Sequence, residues 1–253
     1  MSGTLSNAIS GLQASQVALR IAGNNISNAN TVGYSRQDVN FETRPEQKYG
    51  SSGFLGNGVN TASVTRIVND FVTTQMRLDT TSFNELDKYN QSIGKVDKLF
   101  SDASTGLVGS LQSYFAALQN GASDPSSSPA RQLIITQAES LGLRYNTLYD
   151  RLQDAEKGVN NEIGTLVGQL NALAQSVANL NQSISEKNAS TSGGAPNALL
   201  DQREEALRKL AEIASVQLVQ QDGGDINVFV GNGEPLVVGP RVSSFKVETG
   251  GKI

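Results

Sequence analysis

The sequence predicts a mainly α fold: an elongated, coiled-coil-like bundle of long helices, preceded by an N-terminal helix with an extended arm and followed by the start of a small β domain. Three observations carry that expectation. Apolar residues recur in alternating steps of four and three from Ile134 to Ile184, the period of one face of a long helix. A separate heptad series occupies residues 5–29. After Ala214 the period falls from 3.6 to 2, the mark of strands. The expected segments are 1–63 for the N-terminal helix and arm, 64–214 for the bundle and 215–253 for the β part.

In the first segment Leu5, Leu12, Leu19 and Ile26 recur every seven residues, and Ala8, Ser15, Ala22 and Ala29 fall three residues after each. Large residues at one seam position and small ones at the other let a partner helix approach closely. The same stretch holds Gly11, Gly23, Asn7, Asn24, Asn25 and Asn28. Each glycine costs about 1 kcal/mol of helix propensity and each asparagine about half that, so this helix needs something to pack against. An intermolecular seam and an ordinary amphipathic packing helix both fit the pattern. Residues 31–63 break the period at Gly33, Pro45, Gly50, Gly53, Gly56 and Gly58. Val39 and Phe41 alternate with polar residues, as a hairpin or extended arm requires.

A second helix is expected from about Val64 to Phe100, with Ile67, Phe71 and Leu78 on one face and then, after a phase shift, Leu86, Tyr89, Ile93, Val96 and Phe100. Leu107, Leu111, Phe115 and Leu118 form a shorter third helix ending at Asn120-Gly121. Ser128 as N-cap and Pro129 in the first turn open the long fourth helix. At about 55 residues it would be ~80 Å long, lying against the Val64–Phe100 helix. Two successive steps of four, Ala155 to Val159 to Ile163, form a stutter. Gly142, Gly158, Gly164 and Gly168 weaken this helix and mark where a break would fall. Residues 190–196 end it. Asn197 then caps a helix with Leu199, Leu200, Arg203, Leu207 and Leu210 on its face. Val216 and Leu218, then Ile226, Val228 and Val230, then Leu236–Val238 form a β-meander, with turns at Asp222–Asp225 and Gly231–Pro235.

Composition narrows the chemistry. Hydrophobic residues are 38% and charged residues 17%, both low for a compact enzyme, and with 6% aromatics and no Trp a thick round core is not expected. The chain has no His and no Cys, which removes imidazole acid/base chemistry, thiolate nucleophiles and His- or Cys-ligated metals. A formal net charge of −4 without a basic block makes a poor partner for nucleic acid or an anionic membrane. No stretch approaches the ~20 apolar residues of a membrane span. The first basic residue is Arg20 and no apolar run follows Met1, so no cleavable secretory signal is read. Gly-Asn-Gly at 56–58 and 231–233 lacks the strand-to-helix setting of a phosphate loop. Asp201, Glu204 and Glu205 beside Arg203 read as an ion-paired or solvated helix face. No catalytic residue, cofactor or metal is expected.

Residues 23–37, GNNISNANTVGYSRQ, hold four asparagines at the end of the heptads. Asparagine amides bond backbone groups in turns, so the stretch is either a polar helix end and loop or a contact segment between subunits. Together with its helix, LSNAISGLQASQVALRIAGNNISNANTVGYSRQ resembles the N-terminal signature of the flagellar rod, hook and hook-associated proteins: an Ala/Leu/Ser helix, an Asn-Asn-Ile-Ser-Asn core, then Asn-Thr-x-Gly-Tyr. The ending GYSRQ, in place of the GF form of hook and rod proteins, points to the hook-associated members at the hook–filament junction. GNGV at 56–59 with Val64, Arg66, Asp70 and Phe71, NALLDQREEAL at 197–207 and VQQDGGDINVFVGNGEPLV at 219–237 agree.

The resemblance implies a structural subunit that is not an enzyme and that joins hook to filament by self-assembly. The alternative is another flagellar axial subunit of hook, rod or filament. Implied partners are identical subunits, hook protein, the second junction protein or filament, and the flagellar type III export apparatus, with the protein secreted into the extracellular flagellum. The implied assembly interface comprises Leu5, Ala8, Leu12, Ser15, Leu19, Ala22 and Ile26 of the helix, with Asn24, Asn25, Asn28, Asn30, Thr31, Gly33 and Tyr34 of the segment that ends it. Family members are longer and end in a second amphipathic helix, so a chain stopping at Ile253 is expected to be an N-terminal portion or an unusually short member.

Overall fold

A computed structural model describes residues 2–48, 50–51, 53–101, 106–190 and 196–248. It is mainly helical, with five helices and small antiparallel sheets among the described residues. In chain order these are α1 (Ser2–Ser27), β1 (Gln37–Thr43), β2 (Gln47–Lys48), β3 (Phe54–Leu55), β4 (Val59–Arg66), α2 (Asp70–Ser101), α3 (Val108–Ser123), α4 (Ser128–Ser190), α5 (Asn197–Ile213), β5 (Val216–Gln220), β6 (Ile226–Val230), β7 (Glu234–Val238) and β8 (Arg241–Val242). The chain forms two compact units. One comprises Met1–Thr81 with Gln169–Phe245, the other Ser82–Gly168 with Lys246–Ile253. These units cut across the three segments expected from the sequence, because α2 and α4 each run from one unit into the other.

In the first unit the core lies between the C-terminal part of α4, α5 and the sheet β5-β6-β7-β8. Leu170, Ala174, Val177, Ala178 and Ile184 share one face of α4, at the 3–4 spacing of a helix stripe. Leu207, Leu210 and Ala211 of α5 meet them, and Ile226, Val228 and Val230 close the layer by strand alternation. Aliphatic and alanine residues alternate on both helix faces, and Phe245 packs against the core from its edge. The meander is as its alternation indicates, but it shares this core with α4 and α5.

Polar side chains are buried here too. Asn181, on the core face of α4, donates Nδ2–H to the carbonyl of Ile226 (2.8 Å) and accepts the N–H of the same residue on Oδ1 (3.2 Å). Its Oδ1 also accepts from Arg203 Nη1 (3.0 Å), and that guanidinium donates to the Gly224 carbonyl (2.7 Å). Burial, then the nearby Arg66 charge, lowers Arg203 to about 10, so it stays charged at neutral pH. Asn171 makes the same two-point contact with Phe245, donating to its carbonyl and accepting its N–H, both at 2.9 Å.

The second unit has a sparser interior. Ala117 of α3 and Leu148 of α4 are buried. Gly121 lies under Ile134, whose Cδ1 would be 2.6 Å from an added Cβ. Lys88 of α2 pairs with Glu162 of α4 at 2.6 Å, as helices lying side by side require. The expected seam is nevertheless not buried: Leu86, Tyr89, Ile93, Val96 and Phe100 are all exposed.

Several boundaries differ from the sequence reading. Residues 64–66 belong to β4, and α2 begins at Asp70. Val64, Thr65 and Arg66 find partners in Val39, Asp38 and Gln37, and that pairing outweighs any local helical tendency. Asn69 then caps α2, its Oδ1 accepting the Val72 N–H (3.2 Å). Helix α3 continues through Asn120-Gly121 to Ser123. The cap of α4 is Ser127, whose Oγ accepts the Ala130 N–H at 3.4 Å, with Ser128 already helical. Helix α4 has 63 residues and runs unbroken through all four glycines, none of which has a neighbour within 4 Å of where a Cβ would stand. Pro196, not Asn197, stands at the N-cap of α5. The Asn197 amide is instead turned to the Val64 carbonyl (2.8 Å). The expected end of the long helix at 191–195 lies outside the described residues.

Candidate assembly site

Helix α1 has two faces of different chemistry. One docks on the two-stranded ribbon of β1 and β4, through Ser10, Ala14, Val17, Ala18 and Ile21, spaced by threes and fours. Ser10 is 2% exposed. Its Oγ donates to the Asn7 carbonyl (2.8 Å) and accepts the Val59 N–H (3.2 Å). Gly58 makes this approach possible: its φ is 94°, and a Cβ there would fall 2.2 Å from Ser10 Oγ. Asn7 adds a bond from Nδ2 to the Gly56 carbonyl (3.0 Å).

At 100° per residue, the heptad series lies on the opposite side of α1. Leu5, Leu12, Leu19 and Ile26 are exposed by 64, 60, 73 and 77%. Ala8, Ser15 and Ala22 are exposed beside them, with Ser15 Oγ bonded only to its own helix at the Gly11 carbonyl (3.0 Å). One face of α1 is therefore packed on the ribbon, and the heptad face is exposed.

The asparagine-rich stretch forms a corner between α1 and β1. Asn25 donates Nδ2–H to the Gln37 carbonyl (2.8 Å) and accepts the Gln37 N–H on Oδ1 (2.9 Å). The Tyr34 hydroxyl donates to the same Oδ1 (2.8 Å) and accepts from Asn24 Nδ2 (3.1 Å). Asn28 Nδ2 returns to the Asn24 carbonyl (3.0 Å), and the Thr31 hydroxyl reaches Asn28 Oδ1 (3.3 Å). Asn24, Asn25, Asn28, Thr31 and Tyr34 are thus bonded within the chain, whereas Asn30 is exposed. Gly33, at φ 79°, passes Glu205 so closely that an added Cβ would sit 3.3 Å from its Cβ.

The outer face of α5 holds this corner and the ribbon base. Asp201, 7% exposed, accepts the Ser35 N–H (3.1 Å) and Arg66 Nη1 (3.2 Å), one on each carboxylate oxygen. Arg77 of α2 pairs with Glu204, and the Thr81 hydroxyl donates to the Ala211 carbonyl (2.8 Å). Glu205 is bonded by Arg208, which holds its carboxyl below the ordinary carboxylate value. The expected ion-paired face is therefore what Asp201, Glu204 and Glu205 form. The sequence reading did not single out Asp201 as the residue joining arm to core. Its signal was a carboxylate one turn beyond the helix start, on the side away from Leu207 and Leu210. A cleft of about 410 Å³ remains between the corner and α5, lined by Asn24, Asn28, Tyr34, Asp201 and Glu205 among others. Among the described residues no cluster of three or more His, Cys, Asp or Glu is suited to a metal, and none of their helices is long and apolar enough to cross a membrane.

Comparison with known families gives the class: the chain is a flagellar axial protein. Residues 5–34 match the flagella basal body rod protein family, whose model covers this helix and corner. Residues 93–252 match the flagellar hook-associated protein FlgK helical domain, and the chain belongs to that family. It is 39% identical over 239 residues to flagellar hook-associated protein 1 of Salmonella typhimurium, covering 94% of this chain and 43% of that protein. The corresponding Escherichia coli protein is 37% identical, over 94% of this chain and 44% of its own length. The chain thus spans less than half the length of these relatives. The structure of the flagellar hook junction protein FlgK from Burkholderia pseudomallei is similar with a TM-score of 0.60 at 28% identity, over 66% of this chain and 29% of that one.

Proposed function

We propose that the protein is a structural subunit joining the flagellar hook to the filament by self-assembly, and that it is not an enzyme. The observation that carries this is the exposed stripe of Leu5, Leu12, Leu19 and Ile26, spaced by sevens and facing away from the ribbon. Four large apolar side chains in water on one helix are costly, and burial against another helix would recover roughly 1.5–3 kcal/mol for each. Ala8, Ser15 and Ala22 supply the small positions of the same seam. Asn30, Thr31 and Gly33 extend the surface beyond the helix end. Identical subunits, hook protein, and the second junction protein or filament are the partners this role requires. Work in the extracellular flagellum is consistent with delivery by the flagellar type III export apparatus. The family match and the likeness to a flagellar hook junction protein support this reading.

The test is Leu12→Asp in the full-length protein. A carboxylate in a closed seam must be desolvated or break the contact, at several kcal/mol. On the exposed face of the free subunit it sits in water, so the melting temperature should hardly move. Cells carrying the variant should shed folded subunits into the medium and lack filaments. Normal filaments with this variant would remove the stripe from assembly. The rod-family match over residues 5–34 favours a second reading, another axial subunit. Labelled protein found along the rod or hook, rather than at the distal end of the hook, would select it.

A further inference from the structure

We infer that Asn25 is a positioning residue: its corner with Tyr34 and Gln37 fixes the direction in which α1 presents the leucine stripe. This rests on the proposed role of that stripe in assembly. The side chain bonds both peptide groups of Gln37, as a neighbouring strand would, and also accepts the Tyr34 hydroxyl. Oδ1 therefore takes two donors and Nδ2 meets one acceptor, leaving little freedom of rotation. Asn25 stands two residues before the end of α1, and Gln37 is the first residue of β1. The three bonds thus lie where the chain turns from helix to strand and define the angle between them. Farther along, α1 is held on the ribbon through Ser10 and Gly58. Two separated anchors on one face set an axis, which a single anchor would leave free to swing.

The corner is itself fixed. Ser35, next to Tyr34, and Arg66, whose strand residue pairs with Gln37, are both held by Asp201 of α5. Direction is therefore transmitted from the core through Asp201 to the start of β1, and through Asn25 to α1. A seam that closes on a partner helix needs its knobs in register before contact. If the competent direction is populated in only about a tenth of free molecules, apparent affinity falls about ten-fold, although no contact residue has changed.

Residues 1–253 contain no cysteine, so labels go at Gln13→Cys on α1 and Gln217→Cys on β5, both exposed, with any cysteine elsewhere in the full-length protein changed to serine. Distances between spin labels are measured in the full-length protein, with thermal melting and incorporation onto isolated hooks as companion readouts. Asn25→Leu should broaden the distance distribution and weaken incorporation about ten-fold, with the melting of the sheet core unchanged. Asn25→Asp keeps the acceptor but loses the donor to Gln37, and should give a smaller change in the same direction. Tyr34→Phe removes only the hydroxyl's two bonds and decides the matter should Asn25→Leu fail to fold. A narrow distribution in these variants, or a broad one with normal incorporation, overturns the positioning role. Leu12→Asp should keep the narrow distribution and lose incorporation. Normal incorporation there counts against the stripe as the assembly surface, a result distinct from either of those.

Discussion

Asparagine is used here as a substitute for a β-strand. Asn25, Asn171 and Asn181 each present one amide to both peptide groups of a single residue, Gln37, Phe245 and Ile226. An amide side chain has a donor and an acceptor at nearly the spacing of a peptide edge, so a helix can secure a strand without a large apolar contact. The three differ in burial, and that difference sets their energetic weight. Asn181 is wholly buried and shares Oδ1 with Arg203. Replacing it by Leu leaves two peptide groups without partners and a buried cation short of an acceptor. The expected loss is at least ~3 kcal/mol, since each unsatisfied buried group costs about 1–3. Asn171 is nearer solvent, where water can replace the amide, and Asn171→Ala should cost about 1 kcal/mol. Urea unfolding of the two variants, followed by circular dichroism, checks the ranking. Equal losses would mean that burial does not govern the clamp.

Among the elements, helix type was legible wherever the period was long, and faces were legible only in part. The 4–3 spacing from Ile134 to Ile184 located α4, and the alternation after Ala214 located the meander. Residues 64–66 were misassigned because β4 depends on Gln37–Val39, more than twenty residues earlier, and no local pattern shows such pairing. The heptads identified one face of α1. The ribbon-facing side went unread because its two buried positions are a polar Ser10 and a small Ala14, which break the hydrophobic stripe that Val17 and Ile21 continue. The asparagine corner was visible as composition, but which amide met which peptide group was not, since that depends on the turn of residues 28–36. Glycine separates these elements further. Gly58→Ala adds a Cβ 2.2 Å from an Oγ already committed to two bonds, at a positive φ. It should cost at least ~1–3 kcal/mol and loosen α1 from the ribbon. Gly142, Gly158, Gly164 and Gly168 have open space where a Cβ would go. Alanine at any one should stabilise the free subunit by about 0.5–1 kcal/mol. Thermal melting of Gly58→Ala and of the α4 variants should shift in opposite senses.

For the molecule as a whole, the two units differ in how much they bury. The first holds nearly all the buried apolar residues: those of α4 from Leu170 onward, α5 and the sheet. In the second, the described residues bury Ala117 and Leu148 and leave the apolar face of α2 exposed. Few buried contacts mean low local stability. Amide exchange should be slowest at 174–184, 206–211 and 226–237, and faster by orders of magnitude along 82–101, with the second unit unfolding first on heating. Uniform protection across both would contradict this partition. The amide clamps bear on the molecule's tolerance of sequence change. Each senses a peptide N–H and C=O and makes no demand on the side chain between them. Residues 37, 226 and 245 are therefore free, as far as the clamp is concerned, to drift among nineteen amino acids. Proline alone is barred, because it has no N–H to give.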